Sequence, residues 1–354
     1  MNCVECIIMK KGILFICLII LSHFGFAKND KKNKLKTPKV QYELSGGAGH
    51  YNYAPSVIED KYKIRYAFVC QNRDPFKIID YIYLFKGIPT KNGYVWQPGT
   101  RIVDPSETGW DHIHICDPDV REFKVTYKRE TYNWIMTYLG VDQWHNHNQI
   151  GLAFSKSIEG PWVKFDKNPL VSYSDTTKWG VGQSTSIVLD STTIRLFYHS
   201  TLVPGRGFVF RDIKLNDLEN IVLGDENFIQ GMSSNSYPAF SENFTFIVSE
   251  DRKMEDYEPG IPTWVGNYST LRYIPRSKDI ASPVNEWIEI GHVGPQESGF
   301  PRNHNPGILT DSKGYMLNED EVIMYFTTAV TGEDWLWSYD LYSATFDIRW
   351  LKSK

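Results

Sequence analysis

Cysteine is scarce, and most of it sits at the start of the chain. Of five cysteines, Cys3, Cys6 and Cys17 come early, leaving only Cys70 and Cys116 in the body. Two cysteines exclude a disulfide scaffold, and the body of the chain has no Cys-x-x-Cys spacing for zinc. Export would permit a bond between them, and buried free thiols fit equally well. Charge excess is also missing. A net charge of −4 offers no basic face of the kind nucleic-acid binders carry. The apolar run Ile13 to Leu21 is too short to span a membrane, so no span is expected in the mature chain. No long segment keeps a 3.6-residue period, which argues against a helical framework.

Aromatic residues are plentiful: 11 Trp, 21 Tyr and 19 Phe in 354 residues. Such side chains favour strands and point to an all-β core. Sugar faces also stack on Trp and Tyr. At the N-terminus, Lys10 and Lys11 precede the apolar run, which leads to Phe24-Gly25-Phe26-Ala27. A basic segment, a short apolar segment and a small terminal residue describe a secretory signal peptide over 1–27. The Lys-rich stretch 28–38 then reads as a disordered leader. Residues 39–354 are expected to form a single domain, secreted or periplasmic.

A short segment, usually containing Pro, recurs five times: Tyr53-Ala54-Pro55-Ser56-Val57, Asp117-Pro118-Asp119-Val120, Ser184-Thr185-Ser186-Ile187, Tyr237-Pro238-Ala239-Phe240 and Asn305-Pro306-Gly307-Ile308. Counted at 55, 118, 185, 238 and 306, the steps are 63, 67, 53 and 68 residues. Two further β-rich runs follow each anchor, and a fourth strand is marked by Trp96, Trp162, Ile221, Trp287 and, in the last repeat, Trp350. Four antiparallel strands repeated five times predict an all-β, five-bladed β-propeller. The segment Lys39 to Leu44 lies outside the repeats and is a candidate for the strand that closes the ring. A sandwich does not explain the long repeat.

The stretch Trp110 to Trp162 reads WDHIHICDPDV, then YNWIMTYLG, then NQIGLAFSKSIEGPW. It resembles the second blade of the five-bladed propeller glycosidases, glycoside hydrolase families 43, 32 and 68 and the related family 117. The resemblance extends in outline over about residues 45 to 350, and Arg302-Asn303-His304-Asn305 adds a weaker match in the fifth blade. It implies an active site at one mouth of the axial funnel, built on three carboxylates. Asp117 matches the acidic residue before Pro in family 32, with Cys116 where that family has Arg. Asp119 matches an Asp found in second blades of family 43. Ala54 stands where the family 43 base would be. The resemblance also makes His304 a candidate for holding an axial calcium ion, although no cofactor is required.

The anchors place a polar set at the axis: Asn52, Tyr53, Gln183, Asn235 and Asn305, with Trp110, His112 and Trp335 as further sugar-binding candidates. The candidate catalytic residues are Asp117, Glu250 and Asp111. Asp117 would orient sugar, Glu250 at a strand end would be the general acid if burial raises its pKa, and Asp111 would be the base. Asp119 is expected to point away from Asp117 and to serve as its control. Asp117→Asn is expected to cost at least about a hundredfold in turnover with little change in Tm. The alternative reading is a catalytically silent propeller that binds glycan. A protein-interaction propeller of the WD type lacks its repeated Gly-His and Trp-Asp signature.

Overall fold

The computed structural model describes residues 37–353 apart from 145, 202–206 and 234. The predicted signal peptide, and the leader up to residue 36, lie outside the described residues. The chain opens with strand β1 (Lys39–Leu44). Blade one follows as β2 (Tyr53–Glu59), β3 (Arg65–Asn72), β4 (Asp80–Thr90), β5 (Gly93–Trp96) and β6 (Thr100–Val103). Blade two is β7 (His114–Tyr127), β8 (Glu130–Gln143), β9 (Asn146–Ser155) and β10 (Trp162–Lys164). Blade three is β11 (Val181–Val188), β12 (Thr193–Ser200), β13 (Gly207–Lys214), β14 (Val222–Leu223) and β15 (Asn227–Ile229). Blade four is β16 (Ser236–Phe240), β17 (Phe244–Asp251), β18 (Tyr268–Pro275) and β19 (Ile288–Val293). Blade five is β20 (Arg302–Ile308), β21 (Glu321–Ala329) and β22 (Leu341–Asp347), completed by β1.

The five sheets are antiparallel and four strands deep, as the repeat predicts. In blades one and three two short strands share the outermost position, β5 and β6 on β4, β14 and β15 on β13. The ring closes where β1 pairs with β22, from Lys39 against Thr345 to Leu44 against Leu341. Trp350 does not mark a fourth strand. It lies in the 3-10 turn Arg349–Ser353, because β1 already fills that edge.

Stacking sheets radially lets each cover its neighbour's apolar face, and each of the five junctions has its own core. Blades one and two meet through Ile58, Phe68, Val120 and Met136. Blades two and three meet through Ile135, Phe154, Ile194 and Leu196, and three and four through Ile187, Phe197, Phe240 and Ile247. The remaining two junctions bury Phe246 with Val322, and Val57 with Tyr325. All five anchors fall in the innermost strands. In four of them the pairing slips at the anchor, and Ala54, Asp117, Gln183 and Asn305 take left-handed φ values of 48°, 48°, 53° and 46°. A β-bulge bends its strand and re-aims the side chain it carries. The anchors are therefore four matching bulges around the axis.

Candidate functional site

Antiparallel pairing puts the start of each innermost strand beside the end of the second strand. Tyr53 opposes Cys70, His114 opposes Val141, Ser236 opposes Ser249, and Arg302 opposes Ala329. The loops after the second strands of blades one, four and five therefore lie at one mouth of the axis. They carry Phe76, Trp264, Trp335 and Trp337. Below this mouth the bulges leave an axial cavity of about 40 Å³ between Ala54, Asp117, Gln183, Asn235 and Asn305. That is room on the scale of water, so a sugar ring has to sit above it.

Asp117 is buried on the wall of this shaft. Its Oδ2 accepts the Gln183 backbone N–H at 3.2 Å. Burial, and then the charge of Asp80, push its carboxyl up to about 7, against smaller opposing effects of the Gln183 amide and His114. Asp80 opens β4 and is bound by the Tyr51 hydroxyl and by His114 Nδ1 at 3.0 Å. The sequence reading missed Asp80 and Tyr51. They lie far from the anchor in sequence, and an acid opening an apolar strand gives only a faint signal.

Glu250 ends up elsewhere on the same axis, fully buried. It pairs with His304 Nδ1, accepts from Asn235 Nδ2 at 2.7 Å, and meets Arg252 at 3.3 Å. Burial alone would raise its pKa. The His304 charge and hydrogen bond, with Arg252 and Asn235, outweigh burial and hold it below the usual range. The raised carboxyl expected at Glu250 is thus found at Asp117 instead. Tyr53 stands between the two. Its hydroxyl is 3.4 Å from His304 Nε2, and burial followed by the Asp117 and Glu250 charges drives its pKa well up.

Gly266 makes the close packing over Glu250 possible. A Cβ there would lie 2.0 Å from Glu250 Cγ, while His304 and Asn235 leave the carboxylate nowhere to go. Gly266→Ala is expected to destabilise by about 1–3 kcal/mol, as overpacking does. A melting curve reads this directly, and an unchanged Tm would show that Glu250 is free to move.

Of the polar anchors, Gln183, Asn235 and Asn305 line the shaft. Asn52 Nδ2, Asn235 Oδ1, Asn305 Oδ1 and Gln183 Oε1 are buried atoms with no hydrogen-bond partner among the described residues. Native proteins rarely leave such atoms unsatisfied, so they are suited to meet water or ligand. Trp335 lies at the mouth, edge-on to Trp264 at 5.5 Å and to Tyr339 at 5.7 Å. Trp264 is 49% exposed and sits edge-on to His304 at 6.1 Å.

Three predicted residues do not join this group. Asp111 is committed to Lys164 at 2.6 Å and the Tyr138 hydroxyl at 3.1 Å, partners from β10 and β8 rather than from the bulges. Trp110 packs on Tyr138 over Gly140 and Gly151, where any Cβ would strike its ring. His112 is exposed, its Nδ1 2.7 Å from the Gly109 carbonyl. Cys70 and Cys116 form a disulfide. They and Asp117 lie close enough to share a metal, but bonded sulfurs are not thiolate ligands.

Asp119 is fully buried away from the mouth, 2.7 Å from Arg121 and bonded to Ser186. It faces away from Asp117 as expected, but not through strand alternation. Residues two apart on a regular strand share a face. The slip in pairing between Cys116 and Asp119 divides them.

No family model matches the chain, and no curated protein matches it. Among solved structures it is similar to a family 117 glycoside hydrolase of the marine bacterium Zobellia galactanivorans, at 11% identity and a TM-score of 0.56, over 87% of this chain and 90% of that one. It is also similar to the α-L-arabinofuranosidase PaAbf62A of Podospora anserina, at 12% identity and a TM-score of 0.55, over 88% and 97% of the two chains. A third is the catalytic domain of a family 62 α-L-arabinofuranosidase of Coprinopsis cinerea, at 10% and 0.54, over 87% and 97%. At these identities the likeness is one of fold: the chain has the five-bladed propeller that these glycoside hydrolases share.

Proposed function

We propose that this protein is an exported glycoside hydrolase acting on an oligo- or polysaccharide at the aromatic mouth of the propeller. The observation that carries the reading is Asp117, a buried carboxyl raised to about 7 on the shaft wall, opposite Glu250, held below the usual range beside His304, with Tyr53 between them. Two groups pushed to opposite protonation states are what acid–base glycoside cleavage uses. Asp117 gives its proton to the glycosidic oxygen as the bond to the anomeric carbon breaks. The Glu250–His304 pair takes the proton of the attacking water. The structural neighbours, a glycoside hydrolase and two arabinofuranosidases, support a carbohydrate substrate. His304 is engaged by Glu250, Gly266 and Tyr53, which favours this role over an axial calcium ligand. Export rests on the N-terminal pattern and is checked by sequencing the mature N-terminus, expected near Lys28.

The test is a panel of plant, algal and host glycans, scored for released reducing ends and, separately, for binding by calorimetry. Cleavage abolished by Asp117→Asn supports the reading, and binding without cleavage across the panel overturns it. The second outcome is the glycan-binding alternative, which Ala54 at the blade-one bulge favours. Trp264→Ala should raise KM about tenfold with kcat nearly unchanged, the signature of a lost platform that grips ground and transition state alike. A fall in kcat instead would place Trp264 in the chemistry through His304.

Among the described residues no helix is long and apolar enough to cross a membrane.

A further inference from the structure

We infer that the Cys70–Cys116 disulfide, which links blade one to blade two at the bulge, acts on Asp117 by setting a wall without hydrogen-bond donors against one carboxylate oxygen. Its functional meaning rests on reading Asp117 as the proton donor, but its test does not.

Cys70 lies on β3 and Cys116 on β7, 46 residues apart, and both are sealed from solvent. The Asp117 backbone N–H points at Cys70 Sγ at 2.9 Å, and Cys116 Sγ lies 3.5 Å from Asp117 Oδ1. Bonded sulfurs carry no proton to donate. Oδ2 receives the single N–H from β11. The titratable groups around the carboxyl are Asp80 from β4, Tyr53 from β2 and His114 from β7. Asp80 disfavours a second charge there, and His114 opposes it only weakly.

Two ordinary explanations of the bond fail. It is not needed to make the bulge, because Gln183 and Asn305 adopt the same left-handed backbone with no disulfide beside them. Nor is it needed to join the blades, since Ile58, Phe68, Val120 and Met136 already form a junction there. What distinguishes blade two from the other bulges is the carboxyl, and the bond sits directly against it. A carboxylate that accepts two or three hydrogen bonds is stabilised as the anion. Sulfur in place of a hydroxyl or amide withholds that stabilisation. Because both sulfurs are buried, the bond is a fixed part of the site and not a thiol-responsive switch.

The experiment follows the carboxyl titration of Asp117 by NMR in the mature chain with labelled aspartate, assigned by its loss in Asp117→Asn. Cys70→Ser/Cys116→Ser removes the bond and supplies hydroxyl donors. Cys70→Ala/Cys116→Ala removes the bond and supplies none. The serine pair should lower the Asp117 midpoint by about one pH unit or more, while the alanine pair leaves it near the parent value. Equal midpoints in all three proteins would overturn the inference, because a purely mechanical cross-link moves Tm in both variants and the midpoint in neither. If the serine pair does not fold, Cys70→Ala/Cys116→Ser decides, with one hydroxyl beside Oδ1: a midpoint below that of the alanine pair is expected, and an equal one overturns the inference. Should no glycan be cleaved, the proposed function fails while this titration result stands.

Discussion

Asp117→Asn is expected to abolish most activity and to make the protein more stable above neutral pH. The two effects share one cause. A carboxyl whose ordinary value is 3.8 is raised to about 7 by burial and by Asp80. Between those values the folded chain holds a proton that the unfolded chain has released. Stability therefore falls as pH rises through that window, and the full cost is felt above about 7. The cost is on the order of 4 kcal/mol at ~1.4 kcal/mol per pH unit of difference. Asparagine keeps the size and carries no charge, so it removes the cost. At pH 8 the variant should melt higher by roughly 5–10 °C, and the gap should close towards pH 4. Turnover should fall at least about a hundredfold, because amide cannot donate the proton that cleavage needs. Paired melting curves from pH 4 to 8 test this, and parallel curves for parent and variant would show that Asp117 titrates normally. The sequence reading expected an unchanged Tm; burial on the shaft wall is what revises it.

Much of the fold was legible because the propeller writes itself into the chain five times. Each anchor marks an innermost strand, and Lys39 to Leu44 stood out as a candidate closing strand by lying outside the repeats. Conformation at the anchors was not legible. Ala54, Gln183 and Asn305 share little chemistry with Asp117, yet all four sit at a left-handed bulge, and only pairing between strands reveals it. Side-chain partners across blades were equally hidden. Asp80 reaches Asp117 from the third strand of blade one, and Asp111, close to Asp117 in sequence, turns instead to Lys164 and Tyr138. The Glu250–His304 pair joins residues from different repeats, so nothing local announced that burial there would be outweighed by charge.

Asp119→Ala should cost more stability than any other single change considered. Asp119 and Arg121 are both wholly buried and 2.7 Å apart. The guanidinium also bonds the Ser186 carbonyl at 2.6 Å, the Val120 carbonyl at 2.8 Å and the Tyr237 hydroxyl at 2.5 Å, so one side chain of blade two reaches blades three and four. Removing the carboxylate leaves that charge with neutral hydrogen-bond partners only. Breaking a buried pair from one side typically costs about 3–5 kcal/mol, here a fall in Tm of about 10 °C. The same reasoning disqualifies Asp119→Asn as an inert control for Asp117, since it too removes the counter-charge. The cleaner comparison is Asp119→Leu with Arg121→Met. Replacing both charges with apolar groups of similar size is often neutral or stabilising, so the double variant should recover most of what either single variant loses. Activity per folded molecule should stay near that of the parent in every case, because Asp119 faces away from the mouth. A double variant as unstable as the single ones would show that the hydrogen bonds to Ser186 and Tyr237, rather than the ion pair, hold the three blades in register.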